Sequence, residues 1–572
     1  MSEIPRTADP YGAADRVLLG GNVLTLDGLN RRASAVAIRG GRILALGEDR
    51  EIGGFVGEHT DVVDLAGATA LPGFIETHTH PLFYGMTLAA PVDAGTPPND
   101  TIGDIVERVA AAAEDVESGG WIRGYRYDDT LLRDNRHPTR DDLDPATPRH
   151  PVCLQHVSGH FCAINSVALD LMGISRETPD PPGGVIVRDE RGEPTGVLAE
   201  TAAFDVYARM PVPGPDEMDD YLGLAGDSYL SNGVTTVHDT GVGLQGGFAE
   251  LPAYQRAIRS GRFRSRVLAY LVQDLFPNLA SGVLSPVEAG VAGLGDEQFR
   301  LAGVKFWADG SIQGLTGALH DGYACAPDKR GLMIFKPDDL ARRVATLHAA
   351  GWQLAIHGNG DAAIQTILDA YTRIGLRPQE SDRRHRIEHC QMVQEDQLDT
   401  MVEAGVLASF FVKHVYYWGD RHRDIFIGPE RAARISPLAS ATSRGLRFGL
   451  HSDTPVVPVS PLEGIWCAVQ RVTRDGNELG PEQRVDVETA LRGYTSDAAY
   501  LGFEEDTKGV LEPGRLADIT VLSGDPTAVE PEQIRTLSVD ATIVGGDVAW
   551  RRPSSRPRDS AATGQESRQE TP

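Results

Sequence analysis

The sequence is poor in cysteine, in positive charge and in long apolar runs. Its 572 residues include five cysteines, an odd number with no CxxC spacing, so a disulfide framework is not expected. Lysine and arginine total 54 against 81 aspartate and glutamate, and the formal charge of -27 disfavours nucleic acid and anionic membrane surfaces as partners. No run approaches the roughly 18 apolar residues of a membrane span.

The remaining composition is that of an ordinary globular protein, with 41% hydrophobic and 24% charged residues. The length predicts two or three domains. Because residues 1–14 are polar and acidic, without the cationic and then apolar order of a signal peptide, we expect a cytoplasmic location. A small-molecule substrate is the expected partner, and a homodimer is the expected oligomer.

Both ends of the sequence carry short β-type runs. Between residues 16 and 65, such runs are separated by Gly-Gly or charged turns, and a similar texture returns at 514–548. Because small isolated sheets are marginally stable, we predict one composite β-sandwich built from 15–70 and 503–552. The tail at 553–572, rich in Ser, Arg, Glu, Gln and Pro, is predicted to be disordered.

Between the two ends, apolar strand-like runs alternate with amphipathic helical patterns. The strand candidates are residues 70–77, 235–238, 267–272, 302–307, 353–356, 384–388, 407–411 and 447–450. This alternation predicts an α/β protein with a parallel sheet. Eight strands with helices between them indicate a TIM-like (β/α)8 barrel over 71–502.

One connection is far too long for the pattern. More than a hundred residues separate the first two strand candidates, where a βα loop usually has a few. We therefore predict an inserted subdomain at 84–215, with an amphipathic helix after Ile102 and a hairpin at 185–198. Because it leaves the end of the first strand, it is expected to lie over the mouth of the barrel as a lid or specificity domain.

The first barrel strand ends in two histidines separated by one residue. Side chains alternate along a strand, so His78 and His80 leave the same face and converge on one point. Neutral imidazoles bind divalent transition metals well. Two histidines spaced in this way are about as often solvated or hydrogen-bonded as they are metal ligands. The interpretation therefore depends on ligand-type residues at other strands.

Four further ligand-type residues stand at or near the ends of later strand candidates. They are Lys305, His357, His389 and Asp453. The carboxyl ends of parallel barrel strands meet at one mouth, so these residues are expected to face the first two histidines. The sequence therefore predicts a metal centre made of four histidines, one lysine and one aspartate.

These segments give the chain a resemblance to a known group of enzymes. The matching pieces are LPGFIETHTHP at 71–81, VKFWADGS at 304–311, IHGNGDAAI at 356–364, RIEHCQ at 386–391, HSDTPV at 451–456 and KGVLEPGRLADITVL at 508–522. Together they resemble the amidohydrolase superfamily, and within it the branch called amidohydrolase family 3, which includes N-substituted formamide deformylases. The fold implied by this resemblance agrees with the barrel and the composite sandwich.

The resemblance also implies a ligand arrangement. His78, His80 and Asp453 would hold one metal, His357 and His389 a second, and a carboxylated Lys305 would bridge them. One or two divalent ions per chain remain open, with zinc as the leading candidate and manganese, iron or nickel as alternatives. His160, within the insertion, is implied to contact the substrate and is a candidate donor to the developing oxyanion.

The predicted activity is hydrolysis of an amide-type C–N bond outside peptides. A metal lowers the pKa of a water molecule, and Asp453 is the predicted base that takes its proton. Leu315 stands where the family usually has an arginine, which gives no support to an acidic substrate, so a small apolar or aromatic N-substituted substrate is expected. The alternatives are a metal-dependent deaminase or decarboxylase on the same scaffold, and a catalytically silent binding or regulatory protein.

Overall fold

The computed structural model describes residues 12–376 and 382–553. In chain order its strands are β1 Arg16–Leu19, β2 Asn22–Leu24, β3 Arg32–Ala33, β4 Ala35–Arg39, β5 Arg42–Gly47, β6 Asp61–Asp64, β7 Thr69–Pro72, β8 Phe74–Thr79, β9 Val92–Asp93, β10 Ile122–Tyr127, β11 Val152–His156, β12 Phe161–Ile164, β13 Gly184–Arg188, β14 Pro194–Glu200, β15 Val234–Val242, β16 Arg266–Val272, β17 Phe299–Trp307, β18 Gln353–Gly358, β19 Arg386–His389, β20 Leu407–Phe410, β21 Phe448–Leu450, β22 Ile519–Leu522, β23 Val539–Val544 and β24 Asp547–Arg551.

The α-helices fill most of the connections. They are α1 Asp49–Ile52, α2 Pro81–Leu88, α3 Ile102–Asp115, α4 Arg140–Leu143, α5 Ser166–Met172, α6 Thr201–Arg209, α7 Pro215–Ser231, α8 Glu250–Arg259, α9 Pro286–Gly290, α10 Pro337–Ala349, α11 Asp361–Arg373, α12 Glu395–Ala404, α13 His414–Arg421, α14 Gly428–Ala433, α15 Leu438–Ser443, α16 Pro461–Gln470, α17 Val487–Gly493 and α18 Ser496–Leu501. Residues 554–572 of the predicted tail lie outside the described residues.

Eight parallel strands form the central sheet, in the order β21-β20-β19-β18-β17-β16-β15-β8. The first and last strands lie side by side, and Thr77 Oγ1 donates a hydrogen bond to the Leu450 carbonyl oxygen at 3.2 Å. Strands such as β16 and β18 are buried along their whole length, as expected for parallel strands covered by helices. The predicted TIM-like (β/α)8 barrel is confirmed.

The predicted first strand, 70–77, is wrong in one respect, because the structure divides it at Gly73. Residues Thr69–Pro72 form β7, which pairs with β22 of the terminal sheets, whereas Phe74–Thr79 form β8, which pairs with β15 of the barrel. A Cβ at Gly73 would lie 2.2 Å from Thr235 Oγ1, so only glycine fits where the chain crosses between sheets. Pro72 ends its strand, where its missing N–H costs no ladder bond.

The two ends of the chain fold together next to the barrel. They form a four-stranded sheet, β5-β4-β1-β6, and a six-stranded sheet, β24-β23-β22-β7-β2-β3. Leu18, Ile38, Ala70, Ile519 and Ile543 share one apolar cluster, so side chains from both ends of the sequence bury one another. The limits 15–70 and 503–552 for this domain stay a prediction.

The long connection between β8 and β15 carries its own sheet. Its strands have the order β13-β14-β12-β11-β10-β9, and β13 and β14 form the hairpin predicted near 185–198. Ile105 and Val109 of α3 pack on one face, and Ala203 and Val206 of α6 belong to a second cluster with Cys162. We call residues 84–215 the insertion below. No helix within the described residues has the length and apolar character that crossing a membrane requires.

Candidate metal centre and active site

Three predicted ligands meet at the carboxyl ends of the first and last barrel strands. Asp453 Oδ1 lies 3.4 Å from His78 Nε2 and 3.3 Å from His80 Nε2. Ligand atoms held tetrahedrally at bonds of about 2.1 Å stand about 3.4 Å apart, so the spacing fits a shared cation. Asp453 has a φ of 51°, an unusual backbone conformation for aspartate that turns the chain out of β21.

The other nitrogen of His78 faces a buried carboxylate. Nδ1 of His78 lies 2.6 Å from Glu388 Oε2, and Glu388 Oε1 lies 2.6 Å from Arg386 Nε, with all three side chains buried. Burial opposes ionisation of Glu388, but Arg386 and His78 hold the pKa of this carboxyl below its usual value. Glu388 therefore accepts the Nδ1 proton and leaves the Nε2 lone pair of His78 directed at the centre.

The tautomer of His78, with its proton on Nδ1, favours a cation at this centre. The Nε2 lone pair of His78 and a carboxylate oxygen of Asp453, both acceptors, approach to 3.4 Å. Two lone pairs at this separation repel one another unless a proton or a cation lies between them. Burial lowers the pKa of His80 and of His389, which keeps these imidazoles neutral, the form that binds metal. The donor set thus fits a divalent cation.

Lys305 lies inside the barrel, on β17. Its side chain is fully buried, and Nζ lies 3.4 Å from His78 Nε2. Burial lowers the pKa of Lys305 to about 8, against the opposing effect of Glu388 and Asp453. About a tenth of the amine is therefore neutral at pH 7, far more than for an ordinary lysine, and a neutral amine is the form that reacts with carbon dioxide.

The remaining two histidines lie on the next strands. The rings of His357 and His389 are 4.5 Å apart, and His389 Nδ1 is buried without a hydrogen-bond partner, 3.8 Å from Asp453 Oδ2. The His389 backbone has a φ of 71°, a conformation that non-glycine residues rarely adopt and that is found at functional sites. All six predicted ligands therefore line one end of the barrel.

The insertion contributes His160 to this centre. Its ring lies 5.3 Å from that of His357, and Nδ1 lies 2.7 Å from Glu200 Oε2. Burial lowers the pKa of His160, but the Glu200 carboxylate outweighs it, so the net shift is upward. A Cβ at Gly310 would lie 2.1 Å from Glu200 Oε1, so this glycine lets the insertion approach the loop after β17. His160 is thus held in place by Glu200, and its Nε2 donates a hydrogen bond when the ring is protonated.

Asp453 remains ionised among these groups. Burial alone would raise its pKa, but a proton held between this carboxylate and the His78 and His80 imidazoles lowers the pKa well below the ordinary value, as a cation in the same place would. The preceding turn is fixed because the backbone N–H of Ser452 and its hydroxyl both donate to Glu76, each at 2.8 Å. A carboxylate held in this way can accept a proton beside the centre.

A cavity of about 240 Å³ opens on the ligands. Besides His78, His80, His357, His389 and Asp453, its wall contains mainly apolar side chains: Phe83, Phe204, Ala208, Leu244, Val272, Leu275, Trp307, Pro455 and Val456. Neither arginine nor lysine lines this cavity among the described residues. Such a site accepts an uncharged, largely apolar group next to the ligands.

Sequence reasoning missed the carboxylates that hold the ligands. Glu388 holds His78, and Glu200 holds His160. Asp309 accepts the backbone N–H groups of Asn359 and Gly360, at 3.0 and 2.8 Å, which fixes the loop after His357. The available signal was an acidic residue at the end of an apolar strand, where an unpaired charge would be costly.

Comparisons with known proteins agree with the fold and with the motifs. The sequence matches the amidohydrolase family profile over residues 61–549. It is 32% identical to the N-substituted formamide deformylase of Arthrobacter pascens, over 95% of this chain and 99% of that protein. It is 31% identical to Protein LONG AFTER FAR-RED 3 of Arabidopsis thaliana, over 95% of this chain and 93% of that protein.

A solved structure extends the comparison. An uncharacterized metal-dependent hydrolase from Pyrococcus horikoshii OT3 has a TM-score of 0.71 and 24% identity, covering 90% of this chain and 99% of its own. At this identity the likeness concerns the fold. The predicted resemblance is confirmed: the chain belongs to the amidohydrolase family and is an enzyme that hydrolyses carbon–nitrogen bonds other than peptide bonds.

Proposed function

We propose that this enzyme is a metal-dependent hydrolase that cleaves the amide bond of a small N-substituted amide or formamide. The observation that carries the proposal is the approach of Asp453 Oδ1 to within 3.4 Å of His78 Nε2 and 3.3 Å of His80 Nε2 beside a largely apolar cavity. The name of the Arthrobacter pascens relative supports formamides as the substrate class.

In this proposal His78, His80 and Asp453 would hold one ion, and His357 and His389 would hold a second. Lys305, carboxylated at Nζ, would supply oxygen ligands to both, and zinc is the leading candidate metal. The buried position of Lys305 and its pKa of about 8 support this modification. A bound divalent cation supplies Lewis acidity, which acidifies water and polarises a carbonyl group.

Asp453 acts as the general base. Its ionised carboxylate accepts a proton from the attacking water and then delivers it to the leaving nitrogen, so that an amine departs rather than an amide anion. The lowered pKa of this carboxyl keeps it ionised near neutral pH, the form that accepts a proton.

His160 donates a hydrogen bond to the substrate carbonyl oxygen as negative charge develops there. The Glu200 carboxylate accepts the Nδ1 proton and raises the pKa of His160, so the protonated ring also carries an Nε2 proton that it can donate, close to His357. A donor of this kind, held before substrate arrives, stabilises the transition state without reorganisation. The substituent on nitrogen packs against Phe204, Trp307 and Leu275, which favours aryl and alkyl groups.

The proposal is tested by metal removal and a substrate panel. The enzyme is chelated mildly, its metal content is measured, and N-formyl and N-acyl amines, aryl esters, N-acyl dipeptides and amines are assayed before and after one metal at a time is restored. We expect formate or carboxylate and a free amine as products, and turnover that returns with metal. Release of ammonia or carbon dioxide instead, or full turnover without metal, would contradict the proposal.

A further inference from the structure

The cavity above the ligands continues into a second, outer groove. Gln155, Tyr207 and Gln245 line both the ligand cavity and a narrow neck of about 10 Å³. Arg123, Tyr125 and Pro211 line both that neck and an outer groove of about 370 Å³. The three spaces therefore lie next to one another, separated only by these side chains, in a path that runs from the predicted ligands along the inserted sheet.

Strand register explains why these side chains share one face. In the parallel pair β10–β11, Arg123 is opposite Cys153 and Tyr125 is opposite Gln155. Because side chains alternate across a sheet, Arg123 and Tyr125 point to the same side as Cys153 and Gln155. Arg123 thus lies two residues along the strand from the level of Gln155, or roughly 6.6 Å.

Arg123 is the charged side chain best placed to bind a ligand in this path. Its Nη2 donates to the Pro211 carbonyl oxygen at 2.5 Å, which uses one of the five N–H donors of the guanidinium. Among the described residues, no carboxylate forms an ion pair with it. Glu217, also in the outer groove, accepts the backbone N–H of Gly214 at 2.7 Å and caps α7.

We propose that the outer groove is a second binding subsite and that Arg123 binds an anionic group, a carboxylate or a similar oxyanion, at the far end of the substrate's N-substituent. This inference rests on the proposed hydrolysis of N-substituted amides. It places the anion away from the reacting bond, consistent with a ligand cavity that arginine and lysine do not line among the described residues.

The neck restricts the linker between the two subsites. A space of about 10 Å³ is at the limit for one water molecule, so the neck excludes a ring and leaves at most the width of a single unbranched chain. At ordinary carbon–carbon bond lengths, about five carbon atoms span the roughly 6.6 Å between the levels of Gln155 and Arg123. The substrate class is therefore an N-acyl or N-formyl ω-amino acid with an unbranched chain.

The test uses matched pairs of formamides that differ only at the far end. N-formyl ω-amino acids with three to nine methylenes are compared with N-formyl alkylamines of the same length, and the ratio of their kcat/KM values is measured. For the wild-type enzyme we expect the ratio to rise by about tenfold or more at one chain length, since a charge-assisted hydrogen bond is gained there.

Variants of Arg123 and Arg126 show which arginine binds the anionic group. Arg123→Met should remove the maximum in the ratio, and Arg123→Lys should keep part of it. Arg126→Met is the matched control: Arg126 lies on the same strand, but its Nη2 pairs with Asp93 Oδ1 at 2.8 Å. That variant should leave the maximum in place. A flat ratio in the wild type, or an unchanged maximum in Arg123→Met, would overturn the subsite.

Failure of the proposed function gives a different result. If the wild type hydrolyses neither member of any pair, calorimetric binding of the same pairs to the wild-type and Arg123→Met proteins decides the question. Tighter binding of the acid that is lost in Arg123→Met would retain the anion subsite while rejecting amide hydrolysis. Equal binding of acid and alkyl compounds would reject the subsite as well.

Discussion

The barrel rim and the insertion border the same cavity, but they hold polar side chains in different ways. At the rim, His78 lies between Glu388 and Asp453, and the imidazoles face one another and a carboxylate within a few ångströms. In the insertion, His160 pairs with Glu200, whereas Arg123 lies in the neck beyond the ligand cavity and forms no ion pair among the described residues. In the proposed mechanism, the rim therefore sets the reaction, and the insertion sets which substrate reaches it.

This division predicts that changes at the rim lower turnover and metal binding, whereas changes in the insertion alter substrate preference. The largest effect is expected for Asp453→Asn. The amide cannot accept the proton, so kcat should fall by about 10³-fold, within the usual range for loss of a general base. Stopped assays on the best formamide measure it.

Asp328→Asn, at an exposed aspartate, is the matched control and should keep wild-type activity. Thermal unfolding of both variants shows whether the fold is intact. If Asp453→Asn kept more than a tenth of wild-type kcat while folded, the general base would have to be sought elsewhere.

The second-largest effect is expected for Glu388→Gln, which should change both metal affinity and stability. Glu388→Gln replaces the charged acceptor for His78 Nδ1 with a neutral amide and should weaken metal affinity by about 10–100-fold. It also leaves Arg386 buried without its carboxylate, which should lower the free energy of unfolding by about 3–5 kcal/mol. Metal titration and chemical denaturation measure the two quantities.

The double variant Arg386→Met with Glu388→Gln distinguishes them. It removes the unpaired charge, so stability should recover in part while metal affinity stays low. Recovery of both would mean that Glu388 acts through packing alone and does not orient His78.

A smaller effect is expected where the insertion reaches the rim. Glu200→Gln removes the carboxylate that raises the pKa of His160, so the His160 pKa should fall. Because protonated His160 is the better donor, activity is lost as pH rises through this pKa, and the alkaline limb of the kcat profile should move to lower pH. At the pH optimum kcat should fall by roughly tenfold.

The conservative variant Glu200→Asp should restore part of the profile, since a carboxylate is retained. An alkaline limb at the same pH in Glu200→Gln and in the wild type would show that Glu200 supports only the local fold.

The smallest effect is expected on the apolar wall. Phe204→Leu should reduce the preference for aryl over alkyl formamides by a few-fold, because an aromatic contact is worth about 0.5–1.5 kcal/mol. Phe248→Leu, at an exposed phenylalanine, is the control. A large fall in kcat for both substrate types in Phe204→Leu would contradict the claim that the insertion affects substrate preference and not turnover.

Most of the barrel could be predicted from sequence, and the reason is physical. Parallel strands buried on both faces are continuous apolar runs, and ligand-type residues that end such runs must share one rim. The sequence therefore predicts that the six ligand-type residues, from His78 to Asp453, lie at one end of the barrel.

The supporting contacts could not be predicted in the same way. Glu388 pairs with a histidine 310 positions away, and no local pattern links the two. The division of the first strand at Gly73 depends on the approach of Thr235, which is likewise a long-range contact. The path to Arg123 depends on the register between β10 and β11, which alternation alone does not fix.

The central claim is that the rim residues hold metal, and anomalous diffraction from crystals of the metal-loaded enzyme tests it most directly. We predict an anomalous peak within about 2.0–2.2 Å of His78 Nε2, His80 Nε2 and an Asp453 oxygen, at the absorption edge of the bound metal. An active crystalline enzyme with no anomalous peak at these three side chains would contradict the account.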